Sequence, residues 1–493
     1  MPEQKEKKKK RRIVWRIFKW LGLGLITALI LGALIFDAPW KVLALLLILL
    51  AAHTILPKGT VKWFWLSVAA VVVILIIWVF LPDETEGWRP YTFEKELATL
   101  QAKYAIPDSE NAALLYDKLF ETLDTDSNAP EFFNRAKIPS TDGPWRSADH
   151  PETAEWLKGQ QKTIDTLIEI SQIEECRFPI TVTVIDPEFM KYSLKMRRCA
   201  FLLLSSANND IAEGQIDAAC QKYLCVLQMA KHFYQQPAMI DLLMGVAVES
   251  LATSRLNRFI IEGQPTGQQL NLIANSLPDL ENNWNSDFSK VLTYEKSLQK
   301  NMFSFLYEIN QQGKVRFSRN PTASLRAWFP QAPFATPTYR SRKLTKAGNI
   351  LGWFFLPSTP QKFDKIIDTA YEKYYAMTDP NFDVSKKPPE VKPQLKLNYR
   401  FIIEMLINMS GQTHSRIHEI YLRALTYRRG SRLLVAIRQY KNENSNWPPD
   451  LDAIKSLAPA EAFIDPVGGK QFEYENHGKR FSLYGETANI WPK

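Results

Sequence analysis

The chain has 493 residues, 46% hydrophobic and 23% charged, a balance that excludes a disordered tail or a fibrous repeat and suits two or three ordinary domains or one long helical one. Its net charge of +9 is confined to one end: residues 1–19 hold nine Lys/Arg against Glu3 and Glu6, residues 20–82 add Lys41, Lys58 and Lys62 against Asp37, and residues 83–493 carry 49 basic and 49 acidic side chains. The bulk composition therefore offers no general polyanion-binding surface, and no nucleic-acid partner is expected.

Residues 1–19 read as a basic cytoplasmic tail and residues 20–82 as a three-span membrane anchor. The spans are Trp20–Phe36, Trp40–Leu56 and Trp63–Leu81. The third contains no ionisable residue, and its length at 1.5 Å per residue reaches about 28 Å, close to the hydrocarbon thickness of a bilayer. No small-x-small processing site follows the first span, so it is read as retained rather than as a cleaved signal peptide. Lys5–Arg12 favours the cytoplasmic side, Lys58 and Lys62 lie in the second turn, and Asp83, Glu84 and Glu86 follow the third span. Three crossings put the amino end inside and the large domain outside. The expectation is a multi-pass inner-membrane protein with an extracytoplasmic domain.

The fold expected beyond the anchor is mainly α: a helical soluble domain over residues 88–377, a Pro/Lys-rich linker over 378–396, and a long helix plus a small C-terminal β-hairpin over 397–493. Asp108 or Ser109 is placed to cap a helix whose apolar positions are Ala112, Leu114, Leu115, Leu119 and Phe120. Pro151–Glu175 reads as a helix with proline in its first turn, and Ile180–Ile185 as a short strand or extended connection. Helices are expected over Phe189–Ser206, Ile211–Tyr234 and Pro237–Ile261, with Asn208–Asp210 and Glu262–Gly263 as stops, so that helical hairpins bury one another's apolar faces. Further helices are expected over Gly267–Ser276, Leu280–Ile309, Gln361–Tyr375 and Leu397–Asn442, the last with a break at Ser410–Gly411. Residues 311–360 mix Gly, Pro, Arg and aromatics and read as a packed irregular segment. Phe472–Glu475 and Phe481–Tyr484 flank Asn476–Arg480 as a hairpin.

Chemistry-bearing text is sparse. Cys176, Cys199, Cys220 and Cys225 either form disulfides, with Cys199–Cys220 and Cys176–Cys225 the sensible pairing, or serve as buried small hydrophobes; spacing does not choose. His414 and His418 share a helical face at i, i+4, the one zinc possibility, but Ser415 stands where a zinc-protease motif has its Glu and no third ligand is specified. No cofactor is predicted, since nucleophile-elbow, phosphate-loop and dinucleotide fingerprints are missing. Arg423, Arg428, Arg429, Arg432 and Arg438 form a basic cluster that would suit anionic headgroups, an acidic partner or a solvated face.

Tyr440, Trp447, Pro448, Leu451, Asp465, Pro466, Gly469, Phe472, Tyr474, Phe481, Leu483 and Tyr484 follow a helix, aromatic-Pro turn, Asp-Pro, glycine, hairpin order. This order resembles a C-terminal pattern of uncharacterised membrane-anchored helical proteins of planctomycete-like bacteria, and more distantly the ends of secretion pseudopilins. The resemblance implies an architecture and no activity. Three functions are consistent with the sequence: a membrane-tethered extracytoplasmic scaffold or protein-interaction module, with an envelope protein or a second copy as partner beside the bilayer; a membrane-bound hydrolase with a dispersed site; and a transport component. The absence of catalytic text places the non-enzymatic reading first.

Overall fold

A computed structural model of the chain describes residues 87–91, 94–123, 143–179, 187–279, 283–304, 307–317, 360–376, 399–486 and 488–491. The three spans, the basic tail, the Ile180–Ile185 strand, the 378–396 linker and most of the aromatic segment 311–360 lie outside the described residues. Among the described residues, no helix is long and apolar enough to cross a membrane.

In chain order the elements are β1 (Trp88–Pro90), α1 (Glu94–Lys103), α2 (Ala113–Leu123), α3 (Pro151–Gly159), α4 (Gln161–Ile170), α5 (Pro187–Ala212), α6 (Ile216–Tyr234), α7 (Met239–Glu262), α8 (Gly267–Asp279), α9 (Trp284–Ser304), β2 (Tyr307–Asn310), β3 (Val315–Phe317), α10 (Pro360–Tyr375), α11 (Tyr399–Asn444), β4 (Glu473–Asn476), β5 (Phe481–Tyr484) and β6 (Asn489–Trp491). The described chain is mainly helical with small antiparallel sheets. It divides into two compact units: one holds residues 87–91, 299–317, 360–370 and 399–411 of the described chain, and the other holds the rest.

The first unit carries the sheet β1-β2-β3, in which Trp88 pairs with Asn310 and Tyr307 with Phe317. The sequence reading missed this sheet by running a helix through Ile309. The reversal needs Gly313 at φ +78° and the Asn310 side chain, whose oxygen accepts the Gln312 and Lys314 amides at 3.1 and 2.8 Å. Tyr307 is fully buried, edge-on to Phe363.

The second unit is built on α5, α6 and α7, joined by short connections and packed each against the next. The expected stop at Asn208–Asp210 lies inside α5. Those polar residues are helical because α6 satisfies them: Tyr223 donates to Asn208 Oδ1 at 2.7 Å and Lys222 pairs with Asp210 at 2.5 Å. The turn comes later, at Gly214 with φ +79°, where the Gln215 amide returns to the Asp210 carbonyl at 2.7 Å. At α2 the cap is Asn111, whose Oδ1 accepts the Ala113 amide at 3.1 Å, in place of Asp108 or Ser109. Leu114 and Leu115 point outward. The buried stripe is Ala113, Tyr116, Leu119 and Phe120, because Tyr116 stacks on Phe120 and meets His232 at 3.1 Å. The expected single helix over 151–175 is two, broken at Gly159–Gln160.

α11 runs unbroken through Ser410–Gly411. At the C-terminus the expected hairpin gains a third strand, giving the order β4-β5-β6, with Asn476 opposite Phe481 and Leu483 opposite Trp491. Phe481, Leu483 and Ile490 are buried. Gly430 lets β6 approach α11, since a Cβ there would lie 2.6 Å from the Ile490 side chain. Asp465 ties the preceding loop to the same helix: its carboxylate accepts Thr426 Oγ1 at 2.9 Å, the Val467 amide at 3.0 Å and the Glu486 amide at 2.5 Å.

Candidate functional site

A concavity with convergent polar groups lies within the second unit, a groove of about 1180 Å³ between α7 and the C-terminal sheet. One wall is a single face of α7. Met244, Ala247, Ser250, Ser254, Arg255 and Arg258 recur at helical three- and four-residue spacing. The small side chains at 247, 250 and 254 are exposed and leave the space open. Facing them are Tyr427 of α11, Trp447, the β4–β5 turn residues Lys479 and Arg480, and all three residues of β6. Arg197 of α5 closes the set, its guanidinium 5.3 Å from the Phe201 ring.

Among the described residues, the groove gathers Arg197, Arg255, Arg258, Lys479 and Arg480 with the carboxylate of Glu262. Glu262 stands 3.9 Å from Arg258, with side chains 62% and 49% exposed, so water screens that pair. A smaller cavity of about 110 Å³ shares Arg255, Arg258 and Glu262 with it. Beneath the groove, Asn257 is 4% exposed and its Oδ1 accepts no hydrogen bond among the described residues.

Three interactions hold the walls. Arg428 of α11 meets Glu249 of α7 in a bidentate buried pair, with Nη2 at 2.6 Å from Oε2 and a second contact from Nε to Oε1; Tyr234 donates to the same carboxylate. Burial works to depress the Arg428 pKa, but the charge and hydrogen bonds of Glu249 together raise it, so the guanidinium stays charged. Burial, reinforced by Glu249, pushes the Tyr234 phenol well above its ordinary range. Second, Arg438 donates to the Ile261 carbonyl at 3.2 Å and lies over Trp447. Third, Trp447 donates to the Lys479 carbonyl at 3.1 Å and packs on Phe481, which fixes the turn carrying Lys479 and Arg480.

These contacts correct the reading of the α11 arginines as one contact patch. Arg428 is 7% exposed and consumed by Glu249. Arg429 donates to the Ile464 carbonyl at 2.7 Å, Arg432 to Glu461 at 3.4 Å and Arg438 to Ile261, while Arg423 is exposed. Each packing surface of the helix takes a different arginine, so no common basic face survives.

The cysteines take one of the two arrangements left open. All four are buried free thiols, the second of the two arrangements open to the sequence. Cys199 lies 13 residues before the end of α5 and Cys220 four after the start of α6, because the turn falls later than expected. The two are out of step by nine residues, about 14 Å along the hairpin, beyond disulfide reach. Burial raises the Cys199 and Cys225 thiols to about 12 and Cys220 to about 11, and Cys225 donates to the Leu167 carbonyl at 3.3 Å.

His418 is buried edge-on to Trp284 at 5.7 Å, and the His414 side chain lies outside the described part. Among the described residues no group of three His, Cys, Asp or Glu side chains is arranged to hold a metal ion. A fully buried carboxyl, Asp241, accepts Tyr192 Oη at 2.5 Å and Ser193 Oγ at 2.8 Å; burial raises it to about 6. Sequence reading missed the groove residues. Their only local signal is the exposed small-and-basic stripe on α7, which resembles any solvated helix face until the C-terminal sheet is placed opposite it. No protein-family model, curated protein or solved structure matches this chain.

Proposed function

We propose that the chain is a membrane-tethered extracytoplasmic binding module, whose groove between α7 and β6 captures an anionic component of the cell envelope. The observation that carries this is the gathering of five basic side chains and the aromatics Trp447 and Trp491 around one open concavity, in a soluble region whose overall charge is balanced. Charge concentrated in a cleft focuses the local field and speeds the capture of anions. Attachment to the inner membrane through residues 20–82 rests on their apolar text and on the Lys5–Arg12, Lys58 and Lys62 bias.

The hydrolase reading draws less from this groove. Among the described residues its lining supplies Ser250 and Ser254, no histidine and a single carboxylate, which gives no nucleophile–base pair of the usual kind there. Asp241 is sealed in the core by Tyr192 and Ser193.

A photo-crosslinking residue placed at exposed Ser254 in intact cells tests the binding reading. The expected result is an adduct with an envelope component that disappears in R258E/R480E; an adduct pattern indifferent to those charges overturns it. Single cysteines placed in the 58–62 turn and the 380–390 linker, labelled in cells lacking the native cysteines, should report opposite sides of the membrane. The same side for both would move the module to the cytoplasm.

A further inference from the structure

We propose that the occupant of the groove is an acidic oligosaccharide, anchored at the floor by the amide of Asn257. The inference rests on the reading of the groove as the site of an anionic envelope component, and it names the chemistry of that component.

Asn257 is out of place as a packing residue. It is 4% exposed and lines the groove, yet its Oδ1 accepts no hydrogen bond among the described residues. A buried acceptor without a donor costs free energy, which a bound O–H or N–H would restore. Ser254 and Ser250, three and seven residues earlier on the same face of α7, stand exposed in the groove, and Tyr427 of α11 lines it too. Among the described residues these three hydroxyls make no hydrogen bond to the protein. A hydroxyl donates and accepts, and an amide carries groups of both kinds. The lining therefore suits a molecule that gives and takes hydrogen bonds at several points.

Sugars have that character, since nearly every ring carbon bears a hydroxyl while the ring faces present C–H groups. Half-buried Trp491 and Leu251 give those faces apolar surface, the indole through its electron-rich ring. The charge is set by Arg197, Lys479 and Arg480, which line the groove without a carboxylate partner among the described residues. Carboxylates on the sugar would give them charge-assisted hydrogen bonds; a neutral sugar would leave them idle. The volume, about 1180 Å³, exceeds that of common small-molecule pockets and suits several linked sugars rather than one. A bare phosphate would satisfy the cations but has no donor for Asn257 Oδ1. A peptide holds its donors and acceptors in a regular backbone ladder, which scattered side-chain groups do not match.

The test presents the full chain in phosphatidylcholine nanodiscs to an array of uronate- and sialate-containing oligosaccharides, each beside its carboxyl-reduced form. Retention on carboxylated glycans is expected, at least tenfold weaker on the reduced forms, in N257L and in K479E/R480E. N257L replaces an unpaired buried amide with an apolar group of similar size, so its urea midpoint should hold or rise. K479E/R480E, confined to the exposed turn, keeps the test open should N257L fail to fold. Retention indifferent to a folded N257L overturns the Asn257 anchor. Retention of no glycan, or equal retention of the reduced forms, overturns the acidic sugar. Capture of phosphatidylglycerol vesicles, a single-stranded oligonucleotide or a glutamate-rich peptide in place of any glycan, still lost in K479E/R480E, overturns the sugar and leaves the groove reading standing. A Ser254 adduct indifferent to R258E/R480E removes both.

Discussion

Arg428 and Arg258 face the two sides of α7, and their fates differ. On the buried side Arg428 is enclosed with Glu249 and Tyr234; on the open side Arg258 stands half exposed beside a screened carboxylate. The first is a joint between α7 and α11. The second belongs to the basic field that lines the groove. Residue type does not separate these roles. What separates them is how completely a second element covers the side chain.

The largest expected effect breaks the buried side. Glu249→Ala leaves a guanidinium enclosed without its partner and should cost about 3–5 kcal/mol in urea unfolding. The double change E249L/R428M should recover most of it, because two apolar groups need no pairing. Next comes acid. Burial depresses His232 to about 4, while its ring bonds Tyr116 at 3.1 Å and the Ile173 carbonyl at 2.9 Å. The folded pKa is depressed, so its contribution is full above about 6.5 and is lost as pH falls through about 4, on the order of 3 kcal/mol. Asp241, raised to about 6 by burial, acts in the opposite sense, since its contribution fades as pH rises. Melting curves of wild type and H232Q between pH 7 and 4 isolate the histidine, with a flatter profile expected in the variant.

A smaller effect sharpens the link between the two sides. Gly430→Ala puts a Cβ against Ile490 and should cost about 1–3 kcal/mol by overpacking, and the displaced β6 should weaken the Ser254 adduct as well. The smallest effect on stability is on the open side. R258E/R480E should change unfolding by less than about 0.5 kcal/mol, and yet remove the Ser254 adduct. A stable variant that still binds would erase the distinction between joint and field.

Much of the helical order was legible because apolar residues repeat at 3.6-residue spacing and glycine or proline marks most ends. The errors fall where a distant partner decides. Asn208 and Asp210 look like a stop until Tyr223 and Lys222 satisfy them. Leu114 and Leu115 look like core until Tyr116 claims the interior through His232. Cys199 and Cys220 fall out of step because the turn comes at Gly214, beyond Asn208–Asp210. β1 and β2 pair across more than two hundred residues of sequence, a contact that periodicity does not reveal. The groove was illegible for the same reason: its two walls come from α7 and from the last strand.

The residues by themselves determined the confinement of the excess charge to the first 82 positions, the three apolar runs there, the helical hairpins and the strands flanking Asn476–Arg480. These follow from local composition and short-range periodicity. Only the tertiary structure decided which arginines are enclosed and which line an open cavity, that the four thiols are buried and unbonded, and that β6 borders a basic groove. Desolvation and pairing depend on what packs opposite, and residues far apart in the chain supply it.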